Sequence, residues 1–119
     1  MSFQATVRRN RDVAVIDLSG RLVLGQASQT LQEAILALIL GGEKKIVLNL
    51  TDVSHLDSAG LGEMFAACAS VTNSGGEVRL VTPVKIHDQM EVTKLSTVFA
   101  DYPDEASAAE SFRSQPSKV

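Results

Sequence analysis

The chain has one cysteine, Cys68, so it cannot close a disulfide on itself, and thiol usage of this kind reads as cytosolic. Its longest apolar run, Ala34 to Leu40, is far shorter than the ~20 residues of a membrane span. No apolar leader follows the opening M-S-F-Q-A-T-V, and a soluble cytoplasmic protein is expected. Positive charge is also scarce. Eleven Lys and Arg against 14 Asp and Glu leave a net charge of -3 and a pI near 5.3, so the sequence carries no basic footprint for nucleic acid. The two histidines, His55 and His87, stand without cysteines at ligand spacing, which leaves no metal pattern. Gly20, Gly25, Gly60 and Gly62 match neither a dinucleotide fingerprint nor a P-loop, so no cofactor is indicated. Internal repeats and low-complexity tracts are absent.

What is present is ordinary globular material, 45% hydrophobic and 21% charged over 119 residues. That length makes one domain, taken as residues 1–113 with a polar tail at 114–119. Phe3, Ala5 and Val7 alternate as in a half-exposed strand, Arg9 to Asp12 make a turn, and Val13 to Leu18 form a second strand, together an antiparallel hairpin. Ser19 to Gly25 reads as a loop. It leads to a helix with Leu31, Ala34, Ile35, Leu38 and Ile39 on one face, started by Ser28 or by Thr30 with Glu33 in capping-box position, and ended by Gly41-Gly42.

Ile46 to Leu50 is an almost continuous apolar run that suits a strand covered on both faces. A second helix, with Leu61, Met64, Phe65 and Cys68 on one face, runs from Ser58 to about Asn73, where Ser74-Gly75-Gly76 stop it. Cys68 is expected in the core. Val78 to Val81 is a fourth strand. Val84, Ile86, Met90 and Leu95 hint at a short helix, Val98-Phe99 at a brief last strand, and Asp104 to Phe112 at a terminal helix capped by Asp104 and packed through Ala108, Ala109 and Phe112. Strand, helix, strand in that order implies right-handed crossovers and parallel pairing after the hairpin. The expected fold is α/β: a mixed, mostly parallel sheet of four to five strands with an N-terminal antiparallel hairpin, flanked by four or five helices.

The stretch D-V-S-H-L-D-S-A-G-L-G, Asp52 to Gly62, then falls at the carboxyl end of a strand, the edge at which open α/β sheets present their sites. Asp57-Ser58 sits at a helix start, where unpaired N–H groups and the helix dipole favour side-chain oxygens or a phosphate. Either residue serves as an N-cap. Neither has Glu or Gln three positions on, and Gly60 in the first turn costs up to ~1 kcal/mol against alanine. A glycine there permits close approach of another backbone, which suits a surface meant to be touched. His55, Asp57 and Ser58 also suggest a hydrolase, but Leu56 stands where a nucleophile elbow needs glycine, and His55 reads as a loop residue with a role in partner contact.

The segment N-L-T-D-V-S-H-L-D-S-A-G-L-G, with I-D-L-S-G-R-L before the first helix and G-G-E-V-R-L-V before the fourth strand, resembles the STAS domain and in particular the free-standing bacterial anti-sigma factor antagonists. The resemblance extends from about Val7 to Phe112. It implies a non-catalytic interaction switch in which Ser58 is phosphorylated by a partner that is both anti-sigma factor and serine kinase, with Asp57 as its acidic neighbour. It further implies a serine phosphatase that resets the switch, and a docking face made of Arg21, Leu22, Val23, Leu24, His55, Asp57, Ser58, Ala59 and Gly60. The unphosphorylated form would capture the anti-sigma factor and free a sigma factor for transcription. Val23 stands where many antagonists carry aspartate. The alternative is a structural STAS subunit of a signalling scaffold or a lipid-transport complex, docked through the same face. Ser28 and Thr30 are read as cap residues rather than further phosphorylation sites.

Overall fold

The computed structural model describes residues 3–23, 25–93 and 100–113. Strand β1 (Gln4–Asn10) turns back through Arg11, at φ 59°, into β2 (Val13–Leu22), with antiparallel pairing from Gln4↔Ser19 to Asn10↔Val13; the expected alternation fails at Val7, which is exposed. Helix α1 (Gln26–Leu40) crosses to β3 (Lys45–Leu56), and α2 (Ser58–Asn73) crosses to β4 (Glu77–Val81). After α3 (Val84–Thr93) come a two-residue strand β5 (Asp101–Tyr102) and helix α4 (Glu105–Arg113). The sheet order is β1-β2-β3-β4-β5, and every pairing after the hairpin is parallel.

Covering both faces of this sheet accounts for the apolar runs in its central strands. On one face Ile16, Leu18, Ile46, Leu48, Leu50 and Leu80 pack against Leu31 and Ile35 of α1, Leu61, Met64 and Cys68 of α2, and Ile86 and Met90 of α3. The alternate positions Val13, Val15, Val47 and Val81 point to the other face and meet Ala108 and Phe112 of α4. Arg79 on β4 is buried against that second layer, its guanidinium 4.4 Å from the Phe112 ring centroid and donating to Ser111 Oγ at 2.9 Å. Asp104 caps α4 as expected, its Oδ1 accepting the Ser107 N–H at 2.7 Å. The hairpin is tied to α4 by Arg8, which bridges Asp17 at 2.5 Å and Glu105.

Several boundaries differ from expectation. Strand β1 continues through Arg9 to Asn10, and the segment expected as a loop from Ser19 is strand as far as Leu22. The third strand does not stop at Leu50; it runs on to Leu56 and takes His55 with it. Against β2 the β3 register advances from Asn49 to Asp52 while β2 moves only from Asp17 to Ser19, and from Val53 to His55 while β2 moves one residue. These bulges place Leu50, Val53 and Leu56 inward at intervals of three, so the period of two that marks a strand is missing. Neither Ser28 nor Thr30 starts α1. Gly25, at φ 119°, is its N-cap, Ser28 Oγ turns back to the Gly25 carbonyl at 2.8 Å, and Glu33 accepts from Gln29 Nε2 at 3.3 Å instead of closing a box with Thr30. Val84, one of the apolar residues that hint at α3, is 76% exposed. The expectations for Leu95, Val98-Phe99 and the 114–119 tail lie outside the described residues.

Candidate functional site

The candidate site is assembled from three chain segments at the carboxyl end of the sheet. The parallel register sets Arg21 beside His55 and Leu22 beside Leu56 at the last rungs of β2 and β3. Leu22 and Leu56 are buried, which fixes the two strand ends to the core, while Arg21 and His55 are exposed. Val23, partly buried, follows directly; Leu24 lies outside the described residues. The chain then leaves β3 through Asp57 and enters α2.

Asp57 is the residue that caps this helix. Its backbone is extended, and Oδ1 accepts the Gly60 N–H at 2.7 Å, while Leu61 N–H closes the first intrahelical bond to the Asp57 carbonyl at 2.8 Å. Ser58 is therefore relieved of capping. It occupies the first helical position, is exposed, and its hydroxyl makes no hydrogen bond among the described residues. The N–H groups of Ser58 and Ala59 lie at the open, positive end of the helix.

Gly60 is explained by an internal contact rather than by an outside surface. A Cβ at this position would lie 1.8 Å from the Leu22 carbonyl oxygen and 2.7 Å from its carbon. The backbone that a side chain here would obstruct is the end of β2, and Gly60 is buried under it. This close approach locks the first turn of α2 to the strand that carries Arg21. Gly62, two residues on, faces open space.

His55, Asp57 and Ser58 do not form a relay. The Asp57 carboxylate is turned to the Gly60 N–H, and among the described residues neither the His55 nor the Ser58 side chain makes a hydrogen bond or ion pair. No three His, Cys, Asp or Glu side chains among the described residues come together as a metal cluster, and no helix among them is long and apolar enough to cross a membrane.

Two side-chain amides at this end of the molecule escaped the sequence reading. Gln89 of α3 donates from Nε2 to the Leu56 carbonyl at 2.8 Å, and Gln32 of α1 donates to the Glu63 carbonyl of α2 at 3.1 Å. A glutamine on an amphipathic helix reads as surface, and nothing local marks either bond. His87 and Asp101 also pair, at 2.6 Å, with Asp101 accepting the Thr82 hydroxyl at 3.0 Å; the carboxylate raises the imidazole pKa above its ordinary value.

The family model described as STAS domain matches residues 4–108. An anti-sigma factor antagonist from Mycobacterium paratuberculosis superposes with a TM-score of 0.79 at 26% identity, over 94% of this chain and 95% of its own. A Thermotoga maritima protein assigned provisionally to the same class superposes with a TM-score of 0.81 at 25% identity, over 92% and 94%. The Bacillus cell fate determinant SpoIIAA in its phosphorylated form shares the fold, with a TM-score of 0.67 at 24% identity over 94% of this chain and 100% of its own.

Proposed function

The chain belongs to the STAS domain family, and from that premise we propose that it is an anti-sigma factor antagonist whose docking is switched by phosphorylation of Ser58. The observation that carries this reading is the division of labour between two adjacent residues: Asp57 holds the helix, and Ser58 is exposed at the first helical position with nothing to do for the fold. A kinase can modify such a hydroxyl without breaking a cap.

Phosphate there brings about -1.5 to -2 charges to a place where a helix dipole and two open N–H groups receive it, so the fold is retained. The effect falls on binding. A partner surface that desolvates a neutral hydroxyl between Arg21, His55 and Ala59 must instead accommodate a hydrated dianion. A loss of ~3 kcal/mol at that interface is a fall in affinity of roughly 150-fold, sufficient for a switch. The partner is then an anti-sigma factor serine kinase, a phosphatase restores the hydroxyl, and the unphosphorylated form releases a sigma factor for transcription.

The experiment is an affinity capture from host lysate with wild type, Ser58→Ala and Ser58→Asp in parallel, followed by ATP addition and phosphosite mapping. Wild type and Ser58→Ala are expected to recover a kinase-like protein that phosphorylates wild type at Ser58, and Ser58→Asp to lose it. Recovery of one non-kinase partner equally by all three overturns the switch in favour of a permanently docked STAS subunit.

A further inference from the structure

Strand β3 outruns β4. Their pairing ends at Asn49↔Val81, yet β3 continues to Leu56 with β2 on one side only. Along the other side of this overhang no backbone pairing is present among the described residues, and α3 stands opposite it across a groove of about 310 Å³. The two ends of the overhang are finished by side-chain amides acting in place of a neighbouring strand. Asn49 Oδ1 accepts the Thr51 N–H at 3.1 Å, and Gln89 Nε2 donates to the Leu56 carbonyl at 2.8 Å.

We infer that this groove receives an extended, acidic segment of a partner protein, which adds as a short strand beside Val53 to His55, inside the two ends closed by Asn49 and Gln89. An open strand edge is a template for main-chain pairing, the basis of recognition by strand addition. The groove has an apolar component in the partly exposed Pro83 and the outer edges of the otherwise buried Val53, Leu56 and Ile86, against which a β-branched side chain of the segment would rest. Among the described residues its charged and titratable lining is Lys85 and His55, without a carboxylate, although the chain as a whole carries -3. Charge complementarity therefore selects an acidic occupant. The bulges bend β3 and oppose flat edge-to-edge pairing, so a flexible single segment fits better than the same edge of a second copy. His55 also belongs to the face around Ser58, so the test uses the unphosphorylated chain and reads the groove through Lys85, which that face does not include.

The test pans a randomised seven-residue peptide library displayed on phage against the full chain and its Lys85→Glu variant, a change at an exposed side chain. Wild type is expected to enrich proline-free peptides that combine Val, Ile or Thr with Asp or Glu. Lys85→Glu is expected to shift the charged positions to Lys or Arg and to weaken a wild-type-selected peptide about tenfold. That peptide should perturb amide resonances of 51–56 and 84–89, and proline at its centre should abolish binding. Failure to enrich any peptide, resonance changes confined to other regions, or indifference to central proline overturns the inference.

Discussion

The Leu22 carbonyl oxygen occupies the space that a Cβ on Gly60 would require, 1.8 Å from its ideal position. Helix propensity alone favours alanine over glycine by up to ~1 kcal/mol, and at Gly62, where nothing lies within 4 Å, that preference acts unopposed. Gly62→Ala is expected to raise stability by up to that amount. Gly60→Ala is expected to lower it by about 1–3 kcal/mol, the usual cost of overpacking, because backbone must move. Urea unfolding of the two variants reads the opposite signs; equal signs refute the contact.

Capping belongs to Asp57 and not to Ser58. Asp57→Ala is expected to cost about 0.5–2 kcal/mol and Asp57→Asn much less, since asparagine caps comparably. Ser58→Ala is expected to stay within about 0.5 kcal/mol of wild type. A loss at Ser58→Ala equal to that at Asp57→Ala would assign the cap to the serine.

Two polar clusters give stability opposite dependences on pH. Asp17 and Glu105 are held below their ordinary pKa values, chiefly by hydrogen bonds from Arg8, so their contribution is present above about pH 4 and is lost as pH falls through the lowered values. With the Arg8 side chain 41% exposed, each pair is worth ~1 kcal/mol at most. His87 is raised by Asp101, so its contribution is present below about pH 6.5 and is lost as pH rises through the raised value. Arg8→Ala should flatten the acid limb of the stability profile and His87→Gln the neutral one, and the His87 ring resonances should titrate above the ordinary histidine range.

Burial pushes the Cys68 thiol up to about 12. At pH 8 a disulfide reagent is expected to label native protein only as fast as the chain opens, and to label it fully in strong denaturant. Rapid native labelling would contradict the packing of α2 on the sheet.

Helix α2 was readable because its apolar spacing, its capping aspartate and the Ser74-Gly75-Gly76 stop all agree. The terminal helix was readable for the same reason, through Asp104 and the Ala108, Ala109 and Phe112 face. The ends of β2 and β3 were not, since bulges replaced alternation with the three-residue interval of Leu50, Val53 and Leu56. The start of α1 rests on the backbone of Gly25, and no side-chain cap bond marks it. At Gly60 the glycine announced a close approach, but the approaching backbone is 38 positions away, between Leu22 and Gly60, and only the folded register reveals it. The link from Arg8 to Glu105, across 97 positions, is equally invisible to local pattern.

The strand order β1-β2-β3-β4-β5 has a kinetic meaning. Each strand pairs with the one made just before it, so no later strand is inserted between two earlier ones. Every parallel pairing closes over a single crossover, the smallest separation that parallel strands allow, so the entropy of closure is kept near its minimum for this kind of sheet. Assembly can therefore follow synthesis from the amino end, with the hairpin as a seed and each βα unit adding to a finished edge. Helix α4 follows all five strands, and its Glu105 clasps Arg8 of β1, so these two described elements meet only once the sheet between them is built.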